Sequence, residues 1–377
     1  KGTQFEEEKI LLTEDQVKDQ TEIKEETEKD DMVENGVHNY STEESYVWPT
    51  DPAVRKKLEW FRDQKLGLMM HWGAYSQLGI VESWALSDAD ACWSRHCIDW
   101  EVTGEEFKKQ YFDLNKTFNP IRFEPEKWAD IAKAAGTKYL LFTTKHHDGF
   151  CIWDSEHTEY DVKASGYQDA KGESDILAEI SASCTEANMD MGLYLSPWDI
   201  HDDSYGYKDK DGKALVEEVT ENGHKVNRPI DGHDWNWVYE NDAEDYNKYY
   251  QSQLEEILSN PKYGNNGKFV EVWMDGAKGS GSGYQEYTFK EWFETIQKYE
   301  GKGVDGRDAD CMLFGANDYT TVRWIGNENG IAGKDTWSKS NVDTQKGTID
   351  SNAQGGATIG FENGNKWTVP EADARIK

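Results

Sequence analysis

The sequence predicts an α/β fold built as a (β/α)8-like, TIM-type barrel, preceded by an acidic N-terminal extension. Three observations favour it. Strand-like apolar runs alternate with helical patterns from Trp48 onward, which is typical of a parallel sheet. Acidic residues follow the ends of several runs, where barrel enzymes place catalytic groups. The chain has 377 residues, enough for one large domain of this kind.

The elements follow in order along the chain. Apolar runs predict strands at 66–70, 139–143, 191–195, 269–274, 311–314 and 322–325. Amphipathic stretches predict helices at 52–64, 103–112, 125–135, 175–187, 243–258 and 288–299. The third helix is followed by Gly136, a typical helix stop. We expect one catalytic domain at 46–377.

Two segments depart from this alternation. Residues 1–45 contain fifteen acidic and five lysine residues, so a solvated extension, flexible or partly helical, is expected. Residues 202–242 are predicted to be an insertion over the active-site face. Within it, Asp211-Gly212 and Asn222-Gly223 are turn signals that indicate a β-hairpin.

Composition narrows the class of protein. Asp and Glu number 73 against 41 Lys and Arg, which argues against nucleic-acid binding. No apolar run is long enough to span a bilayer. A Walker-type phosphate loop and the Gly-x-Ser-x-Gly elbow are both missing from the sequence, and we expect no cofactor and no serine nucleophile. Of the five cysteines, Cys92 and Cys97 are close enough to bridge, although free thiols are favoured.

Two carboxylates carry the candidate chemistry. Asp275 ends a short apolar run just before a turn glycine, and Glu328 lies in a Gly/Asn-rich loop 53 residues later. Glycoside hydrolysis uses such a pair, one acid at each side of the bond that breaks. We predict Asp275 as nucleophile and Glu328 as general acid/base. Glu82 and Glu271 compete with Glu328 for the acid/base role, but Glu271 is expected to lie deeper than Asp275 on the same strand face.

A family resemblance supports this interpretation. The chain resembles family 29 glycoside hydrolases, the retaining α-L-fucosidases, in five segments that follow the family order: LGLMMHWG at 66–73, KHHDGF at 145–150, GLYLSPWD at 192–199, EVWMDGA at 271–277 and RWIGNENG at 323–330. The resemblance implies that His71, His146 and His147 contact fucose hydroxyls. The loop around Glu328 is similar to that of the subfamily that prefers α-1,3/1,4-linked fucose in Lewis-type glycans.

The resemblance also implies a boundary and a departure. In the family, the segment after Val369 leads into the last barrel elements and a β-sandwich. We therefore expect a barrel that is cut short here or completed by a further segment, without the sandwich. An arginine often occupies the position of Ile200 in related fucosidases, and its replacement leaves the preference for the leaving group open.

Aromatic side chains are the candidates for lining the pocket, since their faces stack on sugar rings and the methyl group of fucose needs an apolar contact. The chain has 16 Trp and 19 Tyr. Core packing is the alternative for each of them. The candidates are Trp84, Tyr194, Trp198, Trp273 and Trp337.

The predicted partner is a fucosylated oligosaccharide or glycoprotein glycan, and a surface glycan favours a secreted or cell-surface location. Three alternatives remain. One is a fucosylated-glycan-binding protein without turnover. Another is a metal-dependent barrel hydrolase using Asp199, His201 and Asp148 with the histidines, although the usual His-x-His of its first strand is missing. The third is a hydrolase for a related sugar such as L-galactose.

Overall fold

The protein is described by a computed structural model. It covers residues 52–87, 94, 104–209, 211–241, 245–276, 285–301, 304, 311–315, 319–325, 339–340, 342–343, 348–349, 366–367 and 369–373. The predicted extension 1–45, Glu328, Trp337, Cys92 and Cys97 lie outside these residues. The three cysteines inside them, Cys151, Cys184 and Cys311, are free thiols.

Helices and strands alternate along the described part of the chain. The α-helices are α1 (Pro52–Gln64), α2 (Gly104–Phe112), α3 (Pro125–Ala134), α4 (Ile176–Glu186), α5 (Trp235–Glu240), α6 (Tyr246–Leu258) and α7 (Phe289–Glu300). The strands are β1 (Gly67–Met70), β2 (Tyr139–Lys145), β3 (Asp190–Leu195), β4 (Val216–Glu221), β5 (His224–Pro229), β6 (Glu271–Trp273), β7 (Met312–Phe314), β8 (Val322–Ile325), β9 (Lys339–Ser340), β10 (Val342–Asp343), β11 (Thr348–Ile349), β12 (Lys366–Trp367) and β13 (Val369–Ala372).

The central sheet has seven parallel strands in the order β1-β2-β3-β6-β7-β8-β13. Each strand therefore pairs with the next sheet strand along the chain, and helices α2 to α7 lie in the connections between β1 and β7. A curled parallel sheet with this order is consistent with a (β/α)8-like fold. Because all strands run the same way, their carboxyl ends meet at one edge of the sheet, where candidate site residues collect.

The two faces of the sheet bury different partners because side chains alternate along a strand. Leu140 and Phe142 of β2 belong to the large cluster shared with α3, α4, α6 and α7. Tyr139 and Leu141 belong instead to a second cluster on the inner face, which also contains Leu58 of α1. Helix α1 thus covers the inner face rather than the outer one.

The insertion segment contains a hairpin in which β4 pairs with β5 in antiparallel register. Its turn is Asn222-Gly223, and both residues have positive φ (51° and 79°), as a two-residue type I′ turn requires. The backbone N–H of Gly206 donates to Gln285 Oε1 at 3.0 Å. The backbone N–H of Asn227 donates to Glu286 Oε2 at 3.4 Å. The segment 202–242 is thereby attached to the loop that precedes α7.

Within the described ranges, no helix is both long and apolar enough to cross a membrane.

Candidate active site

Candidate residues converge at the carboxyl edge of the sheet. His71 follows β1, His146 and His147 follow β2, and Asp275 lies two residues beyond β6. A short 3-10 helix, Glu82–Leu86, brings Glu82 to the same place. The parallel order of the strands is the reason that residues separated by two hundred positions become neighbours.

Asp275 is held by the neighbouring strand. The hydroxyl of Tyr194, on β3, donates a hydrogen bond to Asp275 Oδ2 at 2.5 Å. The Nε2 atom of His147 lies 3.6 Å from the same oxygen. The Asp275 side chain is 24% exposed, so it is partly fixed by protein and partly accessible from outside. A carboxylate oriented in this way can attack a bound electrophilic carbon.

Glu82 is the second carboxylate at this edge. Its Oε2 accepts a hydrogen bond from Trp84 Nε1 at 3.1 Å and lies 3.2 Å from His146 Nε2. Its Oε1 lies 3.7 Å from His71 Nε2. Burial opposes ionisation of this carboxyl, but its interaction with His146 outweighs burial and lowers its pKa to about 2. Glu82 is therefore ionised at neutral pH.

The tautomer of His147 follows from its partners. The Ser196 hydroxyl donates to the carbonyl oxygen of Trp198 at 2.7 Å and lies 2.7 Å from His147 Nδ1. Since the hydroxyl proton is used, His147 Nδ1 must donate to Ser196 Oγ. Burial lowers the pKa of His147 well below its usual value, so the ring is neutral and Nε2 is an acceptor. That atom is buried without a hydrogen-bond partner among the described residues.

His146 and His71 differ in charge preference. Burial opposes protonation of His146, but Glu82 outweighs it and raises the His146 pKa. The Ser83 hydroxyl hydrogen-bonds His146 Nδ1 and fixes the ring. Burial lowers the pKa of His71, and Glu82 only partly compensates. The site therefore combines one histidine that favours its protonated form, His146, with two that favour the neutral form, His71 and His147.

The predicted aromatic residues lie at different depths. Trp84 is partly exposed and packs edge-on against His147, with ring centroids 5.2 Å apart. Trp198 is fully buried behind it, with its ring 4.7 Å from that of His147. Trp273 stacks on Phe314 at 3.6 Å on the inner face of the sheet. Of these three, Trp84 is the one positioned to touch a ligand, whereas Trp198 supports the histidine.

A buried polar network stands behind the two histidines. The ammonium of Lys145, the last residue of β2, donates to Gln253 Oε1 at 2.9 Å and to Asp199 Oδ2 at 3.3 Å. Asp199 Oδ1 accepts from the backbone N–H groups of His201 and Asp202. This network joins the ends of β2 and β3 to α6 and so positions both loops.

The same contacts count against the metal-hydrolase set predicted from sequence. Asp199 is engaged by Lys145 and by backbone donors. The ring of His201 stacks on Tyr160 at 3.9 Å. Asp148 accepts a hydrogen bond from the Tyr111 hydroxyl at 2.7 Å. Among the described residues, the donor groups close enough to share a cation are instead His71–Glu82–His146 and His146–His147–Asp275.

The structure thus brings together six predicted residues, namely His71, Trp84, His146, His147, Tyr194 and Asp275. Sequence reasoning missed Ser83 and Ser196, which orient the two buried histidines. It treated Glu82 only as a competitor for the acid role. Ser83 adjoins Trp84, and Ser196 lies two residues before Trp198, so their closeness to conspicuous motif residues was the available signal.

A curled parallel sheet with an acid, histidines and aromatic side chains at its carboxyl edge is the arrangement of barrel-type glycoside hydrolases. The alpha-L-fucosidase family model matches residues 33–329, more than half of the sequence, and the chain belongs to that family.

Individual relatives support this family assignment. Alpha-L-fucosidase 1 of Arabidopsis thaliana is 35% identical over 260 residues, which is 69% of this chain and 41% of the plant protein. A Ruminococcus gnavus GH29 fucosidase, solved in complex with fucose, is 53% identical with a TM-score of 0.65. That match covers 88% of this chain and 56% of the bacterial one. The chain therefore spans about half the length of these relatives.

Proposed function

We propose that this protein is an exo-acting retaining α-L-fucosidase that removes terminal α-1,3/1,4-linked L-fucose from Lewis-type glycans. The observation that carries the proposal is Asp275 at the carboxyl edge of the sheet, held by Tyr194 and facing His147, in a chain of the alpha-L-fucosidase family. The fucose in the Ruminococcus gnavus complex supports the sugar assigned to the site.

The reaction takes two displacements. In the first, an Asp275 oxygen bonds to the anomeric carbon, the glycosidic C–O bond breaks, and Glu328 gives its proton to the departing oxygen. In the second, Glu328 takes a proton from water, whose oxygen displaces Asp275 and releases fucose. Two inversions give net retention. This mechanism requires the carboxyl groups of Asp275 and Glu328 to lie about 5–5.5 Å apart.

The electrostatics of Glu82 support Glu328 as the acid. A general acid must carry a proton near the working pH, which requires a raised pKa. The pKa of Glu82 is lowered to about 2, because His146 stabilises its charge more than burial opposes it. Glu82 therefore has no proton to give at neutral pH. Its suited role is to hold His71, His146 and Trp84 in place.

The histidines supply complementary contacts for hydroxyl groups. His147 Nε2 is an acceptor and suits a sugar O–H, as derived from its bond to Ser196. His146, with its raised pKa, suits a hydroxyl oxygen as a donor. Trp84 offers the partly exposed apolar surface that the methyl group of fucose needs, since a 6-hydroxyl there would lose its hydration.

The testing experiment is fucose release from a Lewis-type trisaccharide and from 2′-fucosyllactose, side by side, with and without EDTA. We expect release from the branched substrate, insensitivity to EDTA, and the α-anomer as the first product in NMR spectra. Release of the β-anomer would contradict retention. Equal release from both substrates would contradict the linkage preference, and no release from either would contradict the activity.

A further inference from the structure

The His71–Glu82–His146 triad has the donor set of a zinc site. Two imidazoles and one carboxylate are the protein ligands found at open, three-ligand Zn²⁺ centres. His71 Nε2 lies 3.7 Å from Glu82 Oε1, and His146 Nε2 lies 3.2 Å from Glu82 Oε2. Ligands around a tetrahedral Zn²⁺ at about 2.0–2.1 Å are separated by about 3.4 Å. One donor atom from each of the three residues lies within 4.8 Å of the other two, so small side-chain shifts bring them to that spacing.

We propose that this triad is an inhibitory site for a borderline-soft divalent cation such as Zn²⁺, which binds where the sugar hydroxyls bind and thereby excludes the substrate. The ion here is an inhibitor and takes no part in the reaction. The proposal goes beyond the fucosidase function, and only its competition with sugar rests on that function.

The burial of His146 also points to a ligand at the triad. His146 is 2% exposed, and its Nε2 atom faces Glu82 Oε2 at 3.2 Å without making a well-oriented hydrogen bond among the described residues. A cation placed between these two atoms would be coordinated by both of them. His71 and Glu82 are each 25% exposed at the side chain, which leaves an entry path and an open fourth position for water.

The surroundings of the triad are already arranged to hold its ligands. Ser83 Oγ hydrogen-bonds His146 Nδ1, so Nε2 is directed at Glu82. Trp84 Nε1 donates to Glu82 Oε2. Such outer partners fix the orientation of the ligating groups and strengthen metal binding. Imidazole nitrogen favours Zn²⁺ and Cu²⁺, whereas Mg²⁺ and Ca²⁺ prefer all-oxygen sites, so the site should discriminate between them.

The test is calorimetric titration of the purified chain with ZnCl2 in a non-chelating buffer, repeated with MgCl2. We expect saturable Zn²⁺ binding and no Mg²⁺ binding. His71→Gln and Glu82→Gln should each lower the affinity for Zn²⁺ by at least about tenfold, because each substitution removes a ligand. His157→Gln, at an exposed histidine away from the site, and Cys311→Ser should leave Zn²⁺ affinity unchanged.

Competition with sugar is measured on the same wild-type protein, so it does not depend on the variants folding. With fucose at ten times its own Kd, the apparent Kd for Zn²⁺ should rise about elevenfold. The proposal would be overturned by an unchanged Zn²⁺ affinity in both site variants, or by an apparent Kd for Zn²⁺ that is the same with and without fucose. If fucose itself does not bind, the fucosidase assignment fails, while the variant series still decides the metal site.

Discussion

At the scale of single residues, Glu82 shows how this site is organised. It has a left-handed backbone conformation, φ 51°, which costs a non-glycine residue about 1–2 kcal/mol. The strain is offset because the conformation directs one carboxylate at two histidines and the indole of Trp84. Sequence gives the identity of Glu82 but not this φ, which is why its organising role was not predicted.

The nucleophile assignment gives the first prediction. Asp275→Asn should lower kcat by at least about a thousandfold, since the amide cannot form the glycosyl ester. Folding should be retained, because the amide oxygen still accepts from Tyr194. The check is turnover of an aryl fucoside together with the circular dichroism spectrum. Glu105→Gln, at an exposed acid in the first turn of α2, is the matched control. Near-wild-type turnover would remove Asp275 from the mechanism.

The roles of Glu328 and Glu82 can be distinguished by how activity depends on the leaving group of the substrate. Glu328→Gln should slow hydrolysis of natural glycans far more than the first step with an aryl fucoside, whose good leaving group needs little proton donation. Glu82→Gln should slow both substrates by a similar factor, since it loosens the histidines and donates no proton. Pre-steady-state release of the aryl group measures the difference. Selective loss on natural glycans in Glu82→Gln would reverse the two roles.

At the scale of elements, most strands and helices followed from apolar periodicity. The strand predicted at 269–274 is confirmed in a shorter form, Glu271–Trp273. Strand β13 was not predicted, because Pro370 lies inside it and proline has no N–H for a sheet ladder. It is tolerated there since β13 is the last strand in the described order. Pairings such as Ser83 with His146 depend on tertiary contact, and no local pattern encodes them.

The loop after β2 gives a prediction at this scale. Gly149 has φ 76°, and a methyl group at its Cα would lie 2.5 Å from Asp199 Oδ1. Gly166 has a similar φ of 82° but open space around it. Gly149→Ala should therefore lower the free energy of unfolding by about 1–3 kcal/mol more than Gly166→Ala does. It should also raise KM, because Asp199 positions the histidine loops. Urea unfolding and substrate titration measure both effects, and equal stability of the two variants would contradict the argument.

At the scale of the whole molecule, two acids face each other across the inner side of the sheet. Buried Glu271 of β6 and half-buried Glu371 of β13 lie close together, with Tyr139 of β2 and Asp373 nearby. Burial and the charge of Glu371 raise the pKa of Glu271. Burial, aided by Asp373, raises the pKa of Glu371 to about 7. The strand alternation that places Glu271 below Asp275 thus also brings it to a partner distant in sequence.

This pair predicts the direction of pH dependence. A carboxyl whose pKa is raised on folding contributes stability that is fully present below the unfolded pKa, about 4.5, and is lost as pH rises through about 7. The loss for Glu371 is about 3 kcal/mol. Replacing both acids by glutamine should flatten the free energy of unfolding between pH 5 and 8, measured by urea titration. Glu105→Gln is the control, and an unchanged slope in the double variant would contradict the pairing.

The strand order has a consequence for synthesis on the ribosome. Each strand of the central sheet pairs with the sheet strand made just before it, from β1 to β13. A growing chain can therefore dock every new strand onto a partner that has already emerged, in keeping with domain growth from the N-terminus. His71 follows β1, and His146 and His147 follow β2, so these predicted sugar-contacting residues emerge from the exit tunnel before Asp275, the predicted nucleophile.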